Sequence, residues 1–106
     1  MQRYAWKARV LPGKHEEYKK RHDEIWPEML ALLREAGIRN YSIWLAGDEL
    51  FGYYECELGA GHAARVQRGS PVVDRWNEYM RDVMAMDMDP ETGAQPLMAE
   101  VFYMSS

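Results

Sequence analysis

The chain has 106 residues, 47% of them hydrophobic, and this composition predicts one folded domain over residues 1–106 and excludes a disordered chain. The net charge of −4 disfavours nucleic acid as a partner, because a nucleic-acid-binding face is basic. Cys56 is the single cysteine, so no intrachain disulfide can form. The sequence has no signal peptide and no apolar run long enough to cross a bilayer, so we expect a cytoplasmic protein without a membrane partner.

The first part of the chain predicts a strand followed by helical structure. Residues 3–10 alternate between apolar and basic side chains, the period-two pattern of a strand, and Pro12 ends it. From Lys14 to Ala36 the apolar side chains take a helical spacing. Pro27 cannot donate an amide hydrogen bond, so it predicts either the start of a second helix or a kink in one long helix. Gly37 is suited to end this region in a left-handed conformation.

The rest of the chain predicts a hairpin, two helices, a loop and a closing strand. Gly47 lies in a four-residue hairpin link over residues 46–49. Ser70 and Pro71 are residue types preferred at the N-cap and at the first position of a helix. The predicted elements are strands Ile38–Leu45 and Leu50–Glu57, a short helix over His62–Arg68, a helix after Ser70, a loop over Met86–Pro96 and a strand over Met98–Met104.

The main elements follow the order β-α-β-β-α-β, which predicts an α+β domain of the ferredoxin-like type with a four-stranded antiparallel sheet and helices on one face. The hairpin strands put large side chains on both faces: Phe51 and Tyr53 alternate with Leu50 and Tyr54. An uncovered face rich in aromatic rings is too apolar for a soluble monomer. We therefore expect a homodimer that packs sheet against sheet.

Tyr18 and His22 are four residues apart, which puts them on one helical face, one turn from each other and near Trp26. Histidine titrates close to neutral pH. His22 is therefore either a general acid–base group over a polar ligand, with Tyr18 contributing a hydroxyl, or a partly buried histidine bonded to a neighbouring carbonyl. The basic run Lys19–Arg21 is flanked by acids, and we interpret it as a solvated helix face.

Other candidate sites are ambiguous or excluded by their sequence context. Trp76 and Tyr41 either pack in the core or bind a ligand oxygen. The three histidines have no metal-binding spacing, so we expect no metal site. The sequence contains neither a Gly-x-Gly-x-x-Gly motif nor a P-loop, and Ser70 lacks a Gly-x-Ser-x-Gly context. A nucleotide cofactor and a serine hydrolase are therefore not expected.

The chain resembles the L-rhamnose mutarotase family along nearly its whole length. The most specific similarity is the run from Arg21 to Glu28, which reads Arg-His-Asp-Glu-Ile-Trp-Pro-Glu. The resemblance implies an enzyme that interconverts the α and β anomers of L-rhamnose, built as a dimeric α/β-barrel and using no metal or organic cofactor. Further similar segments are Glu16–Tyr18, Asn40–Ile43, Arg75–Trp76, Tyr79–Met84 and Glu100–Tyr103.

The resemblance also implies roles for individual residues. His22 matches the family's proton donor, and Tyr18, Tyr41 and Trp76 match residues that bind the monosaccharide. Asn77 stands where the family commonly has a second tryptophan. An amide there removes apolar area that the methyl group of a 6-deoxy sugar would use and adds a group able to bond a hydroxyl. The preferred aldose is therefore open between L-rhamnose, L-fucose and other aldoses. The loop Asp89–Pro96 also departs from the family pattern.

Anomer exchange requires the sugar ring to open and close again. We expect His22 to donate a proton to the ring oxygen while another group removes the proton of the anomeric hydroxyl. The sequence leaves that second group open between an ordered water and a carboxylate such as Asp87 or Glu100. Two alternative functions remain, a dimeric α/β-barrel monooxygenase-like enzyme with an apolar pocket and a non-catalytic dimer that binds a small molecule.

Overall fold

A single antiparallel sheet with a helical layer accounts for the regular structure of the computed structural model, which describes residues 1–86 and 98–105. In the described residues the elements are β1 (Gln2–Val10), α1 (His15–Asp23), α2 (Pro27–Glu35), β2 (Ile38–Ala46), β3 (Glu49–Cys56), α3 (Ala60–Arg68), α4 (Pro71–Met80) and β4 (Met84–Ala85). The strands are ordered β2-β3-β1-β4, and each neighbouring pair is antiparallel. With each helix pair counted as one unit, this is the predicted ferredoxin-like arrangement, which is confirmed.

The helical region before β2 is divided in two, which resolves the alternatives that Pro27 left open. Trp26 is the N-cap of α2 and has an extended backbone, with φ −62° and ψ 136°, and Pro27 follows at the first helical position. Because proline lacks an amide hydrogen, it fits this position without loss of a helical hydrogen bond. Pro27 therefore starts a second helix, and α1 ends at Asp23.

One face of the sheet is covered by the helices and holds the core. Trp6, Leu50 and Cys56 project from the strands into this layer, where they meet side chains such as Met29 and Met80 from the helices. Leu50 and Cys56 have no exposed surface. The alternation of each strand explains this arrangement, because every second side chain points to the same side.

Among the described residues, no helix covers the opposite face of the sheet, which carries large rings as the sequence predicts. Trp44 lies opposite Phe51, and Ser42 lies opposite Tyr53, on the side facing away from the core. The Trp44 side chain is 69% exposed, and Phe51 and Tyr53 are partly exposed. We refer to this side, defined by Trp44, Phe51 and Tyr53, as the uncovered face.

The prediction of a closing strand over Met98–Met104 is wrong for this chain. Residues 98–105 have no regular secondary structure, and the fourth strand of the sheet is β4, which pairs with Arg9 and Val10. A strand requires a ladder of backbone bonds, whereas the Met98 amide makes one, to the Ala5 carbonyl at 3.2 Å. The bidentate ion pair from Arg3 to Glu100, at 2.7 Å, adds a side-chain contact.

Two further predictions concern connections between elements. The hairpin link has two residues, Gly47 and Asp48, instead of the predicted four, and Gly47 has a positive φ of 62°. Both strands extend into the predicted link, which makes the turn tighter. The predicted loop over Met86–Pro96 falls, except for Met86, outside the described residues. In the described residues, no helix has the length and apolar character needed to cross a membrane.

Candidate active site

A cleft of about 1230 Å³ lies between the covered face of the sheet and the helices. Its volume exceeds the range of roughly 300–1,000 Å³ typical of small-molecule sites. The lining includes every site residue predicted from the sequence: Tyr18, His22, Tyr41, Trp76 and Asn77. A smaller surface depression, about 450 Å³, runs along the charged side of α1 and includes none of these residues. The cleft is therefore the candidate site.

His22 lies near the end of α1 and is half-buried. Its Nδ1 lies 3.1 Å from the Tyr18 carbonyl oxygen, and because a carbonyl can only accept, Nδ1 carries the hydrogen. Burial lowers the pKa of His22 below its ordinary value of 6.5, an effect that this hydrogen bond and the Asp23 charge partly offset. The ring is therefore neutral at pH 7, and its Nε2 has a lone pair available to accept a proton.

The structure combines the two alternatives that the sequence left open for His22. The ring is bonded to a neighbouring carbonyl through Nδ1, as the packing alternative required, and it also lines the cleft. Its centroid lies 4.4 Å from that of Tyr18 and 5.5 Å from that of Trp76. The carbonyl bond fixes the tautomer, and the two rings fix the plane of the imidazole.

Tyr18 is 6% exposed and lines the cleft next to His22. Its hydroxyl is buried and has no hydrogen-bond partner in the described part of the chain. Burial raises the pKa of Tyr18 well above its usual range, so the group is a neutral O–H donor. A buried hydroxyl without a partner costs on the order of 1–3 kcal/mol, and an oxygen atom of a bound ligand would remove that cost.

Tyr41 reaches the cleft because of a β-bulge in β2. Arg39 pairs with Glu55 and Ser42 pairs with Tyr53, so two residues of β2 oppose Tyr54 alone. Asn40 occupies the bulge with a positive φ of 52°, a conformation that asparagine adopts more readily than most residues. The extra residue reverses the alternation, and the Tyr41 ring stands 5.0 Å from that of Tyr54 on the covered face.

Trp76 projects from α4 and is 7% exposed. The ring of Trp26 packs against it edge to face at 5.1 Å, and Tyr79 contacts both indoles. Trp26, which is near Tyr18 and His22 in the sequence, lies behind Trp76 and is absent from the cleft lining. Asn77, the next residue of α4, is exposed at the wall of the cleft.

Arg21 corrects the interpretation of the basic run as a solvated face. Its side chain is 12% exposed and bonds Glu17 within α1 and Asp82 after α4. It also donates to the Tyr79 carbonyl and stacks on the Tyr79 ring at 4.4 Å. This network fastens α1 to the end of α4 and holds His22 against Trp76. The Glu17 spacing of four was visible in the sequence, but the pairing with Asp82 was not.

Glu100, one of the two carboxylates suggested as the second proton-transfer group, does not lie at the cleft. Glu100 is bonded to Arg3 and is absent from the cleft lining, so that suggestion is wrong. The Arg3 guanidinium lowers the pKa of Glu100, mainly through the hydrogen bonds between them. Asp87 lies outside the described residues. Within the ranges 1–86 and 98–105, no three His, Cys, Asp or Glu side chains group together as a metal site would require.

Comparison with known proteins identifies the family. A family model described as L-rhamnose mutarotase matches residues 3–104. The chain belongs to the L-rhamnose mutarotase family. One L-rhamnose mutarotase, from Jannaschia sp., is 40% identical over 104 residues, covering 98% of this chain and 99% of the relative. Another, from Sinorhizobium fredii, is 43% identical over 108 residues, covering 99% and 100%.

Solved structures agree with this membership of the L-rhamnose mutarotase family. A crystal structure of L-rhamnose mutarotase from Formosa agariphila superposes with a TM-score of 0.80 at 30% identity, covering 99% of this chain and 100% of that one. The tetracenomycin F2 cyclase from Streptomyces glaucescens superposes with a TM-score of 0.66 at 21% identity, covering 100% and 98%. The second similarity establishes the fold alone.

Proposed function

We propose that this protein is an isomerase that interconverts the α and β anomers of the monosaccharide L-rhamnose by acid–base opening and closing of the pyranose ring. One observation carries the proposal: the His22 Nε2, which bonds no described residue, shares a cleft with the unpartnered Tyr18 hydroxyl. An acceptor beside an unpartnered donor suits a neutral sugar, because sugar hydroxyl groups can donate hydrogen bonds and the ring oxygen can accept one. Family membership supports the same substrate.

Anomer exchange moves one proton between the two oxygens bonded to C1. In the proposed step, Nε2 of His22 accepts the proton of the anomeric hydroxyl, the O1–H electron pair forms the C1=O1 bond, and the C1–O5 bond breaks. The imidazolium then donates the proton to O5, which leaves an open-chain aldehyde and a neutral His22. Rotation about the C1–C2 bond followed by the reverse steps closes the ring on the other face of the carbonyl.

This route keeps the expected donation from His22 to the ring oxygen but puts it second. Because burial lowers the pKa of His22, the ring is neutral near pH 7 and must accept a proton before it donates one. A single group that serves both oxygens needs no separate carboxylate base, in agreement with the position of Glu100 away from the cleft. The Tyr18 carbonyl stabilises the imidazolium through Nδ1.

The remaining residues of the cleft are assigned to sugar binding. Tyr18 and Tyr41 donate hydrogen bonds to sugar oxygens, and Trp76 provides an apolar wall. Asn77 presents an amide at the exposed wall of the cleft, where it selects between aldoses that differ in their polar groups. The reaction as written uses protein groups alone, so the absence of a cofactor remains our prediction, as does the cytoplasmic location.

We also propose that a second copy of this chain packs on the uncovered face. Trp44 is 69% exposed there, and in the C-terminal segment Val101 is 94% and Phe102 is 80% exposed. Burying such rings and aliphatic groups stabilises a dimer by about 25 cal/mol per Å². Analytical ultracentrifugation should give a dimer for the wild-type chain and a monomer for Trp44→Lys. A wild-type monomer at micromolar concentration would contradict the proposal.

Saturation-transfer NMR on sugar anomers tests the proposed activity. With catalytic amounts of protein near neutral pH, exchange between the α and β signals of L-rhamnose should accelerate well above the buffer rate, in the presence of a chelator as in its absence. L-fucose and other aldoses form the comparison panel. Acceleration of no aldose would exclude a mutarotase. Binding of a sugar without acceleration would favour the non-catalytic alternative, and oxygen consumption with an apolar substrate would favour the monooxygenase alternative.

A further inference from the structure

Trp6 forms a polar connection across the covered face of the sheet. Its side chain is 4% exposed, and its indole N–H donates a hydrogen bond of 3.0 Å to the Tyr41 hydroxyl oxygen. β1 carries the indole and β2 carries the phenol, and β3 lies between these two strands. The bond therefore spans three strands and joins a core residue to a residue of the cleft.

Gly52, in the middle strand β3, leaves room for the Trp6 indole to extend to Tyr41. Gly52 pairs with Trp6 on one side and with Ile43 on the other. A Cβ atom at position 52 would overlap three atoms of the Trp6 indole. Because glycine has no side chain, the ring can lie flat across β3 and extend its N–H toward Tyr41. The position of the Trp6 indole therefore depends on glycine at residue 52.

The hydrogen bond determines what the Tyr41 hydroxyl can do. An indole N–H only donates, so the phenol oxygen accepts this bond and keeps its own hydrogen available. In the described part of the chain that hydrogen bonds no acceptor, and Tyr41 lines the cleft. A sugar ring oxygen carries no hydrogen and can only accept, so the Tyr41 hydroxyl and the ring oxygen are complementary.

We propose that Trp6 is a positioning residue that holds the Tyr41 hydroxyl as a donor directed at the ring oxygen of the bound sugar. The inference rests on the proposed function, since it assigns a partner to a residue of that same site. The donated bond would strengthen as the C1–O5 bond breaks and charge develops on the oxygen, so its loss should lower kcat more than it raises KM.

A double-mutant cycle tests whether Trp6 acts through Tyr41. Trp6→Phe keeps a ring but removes the N–H, and Tyr41→Phe removes the hydroxyl. Trp6→Phe alone should lower kcat for L-rhamnose exchange about 3- to 10-fold, the effect of one hydrogen bond of ordinary net strength. In the Tyr41→Phe background the same substitution should have no further effect. Equal losses in both backgrounds would overturn the proposal and indicate a purely structural role for Trp6.

The control and the independent readout keep the result unambiguous. Tyr53→Phe removes a hydroxyl on the uncovered face, which bonds Glu55 at 2.9 Å and lies outside the cleft lining, and should leave kcat unchanged. In the otherwise wild-type chain, the Trp6 indole proton should give a shifted and protected NMR signal that moves on Tyr41→Phe. An unmoved signal would overturn the proposal without any Trp6 variant. A wild-type protein inactive on every aldose would remove the proposed function and this inference together.

Discussion

The two faces of one sheet have opposite chemical character although the same strands build them. On the covered face, the Tyr41 hydroxyl is bonded by Trp6, and the neighbouring rings pack beneath a helical layer. On the uncovered face, Trp44 bonds its near neighbour Ser42 and remains 69% exposed. A tyrosine and a tryptophan three residues apart thus have different partners, and the bulge at Asn40 turns the Tyr41 ring to the covered face.

In the described chain, the two faces differ in the kind of side-chain group that has no partner. Every buried side-chain oxygen and nitrogen of the described chain has a partner except the Tyr18 hydroxyl, which lies on the covered face. On the uncovered face, no described residue shields the Trp44 ring from solvent. A buried hydroxyl without a partner suits the binding of a sugar, and exposed aromatic rings suit packing against another protein surface.

The largest effect is expected at His22. His22→Ala removes the group that both accepts and donates the proton, so anomer exchange should slow about 10²- to 10⁴-fold, the usual range for general acid–base catalysis. His62→Ala is the matched control, because His62 lies on α3 and does not line the cleft. The measurement is saturation-transfer NMR with L-rhamnose. Equal rates for the two variants would remove His22 from the mechanism.

The pH dependence of exchange follows from the lowered pKa of His22. The neutral imidazole starts the reaction, so kcat/KM should be constant between pH 8 and 7 and fall about tenfold per pH unit only below the lowered pKa. Folding stability should decrease as the pH falls from 6.5 to the lowered pKa and level off below it, because in that interval the unfolded chain binds this proton and the folded chain does not. A kcat/KM that decreases as the pH rises from 6 to 8 would mean that His22 enters as an acid.

Tyr18→Phe should separate stability from function. Removing a buried hydroxyl without a partner should raise the free energy of unfolding by about 1 kcal/mol, while sugar affinity falls about 3- to 10-fold. Tyr53→Phe on the uncovered face is the control. Its hydroxyl already bonds Glu55 at 2.9 Å, so its loss should not stabilise the chain. Denaturant unfolding and sugar titration provide the two measurements, and a destabilised Tyr18→Phe with unchanged affinity would refute the assignment.

The smallest effect is expected at Asn77, on the exposed wall of the cleft. Asn77→Trp adds apolar area, so it should increase the preference for L-rhamnose over its 6-hydroxy counterpart, L-mannose, by a few-fold. The ratio of kcat/KM values for the two sugars gives the answer. An unchanged ratio would mean that position 77 does not contact C6 of the sugar.

The sequence predicted those parts of the site that depend on local spacing. Tyr18 and His22 lie together because residues four apart share a helical face, and Pro27 starts α2, which is one of the two outcomes that its missing amide hydrogen allowed. The inward direction of Tyr41 depends on a bulge, for which Asn40 was the one available signal.

Long-range pairing explains what the sequence could not predict. Arg21 bonds Asp82, 61 residues away, and no local pattern reveals such a partner. The segment from Met98 has the composition of a strand, but composition does not specify which edge it pairs with, and the described segment makes one backbone bond to β1. The Trp6–Tyr41 bond likewise requires the register of three strands, which becomes known only when the sheet is formed.

The central claim is that the Nε2 of a neutral His22 meets the sugar in the cleft, and nitrogen NMR of the imidazole tests it directly. At pH 7 the His22 signals should be those of the tautomer protonated at Nδ1. The Nε2 signal should shift when L-rhamnose is added. In the absence of sugar, it should have the same position in the Tyr53→Phe variant as in the wild-type protein. A ring protonated at Nε2, or an Nε2 signal that L-rhamnose leaves unmoved at saturating concentration, would contradict the account.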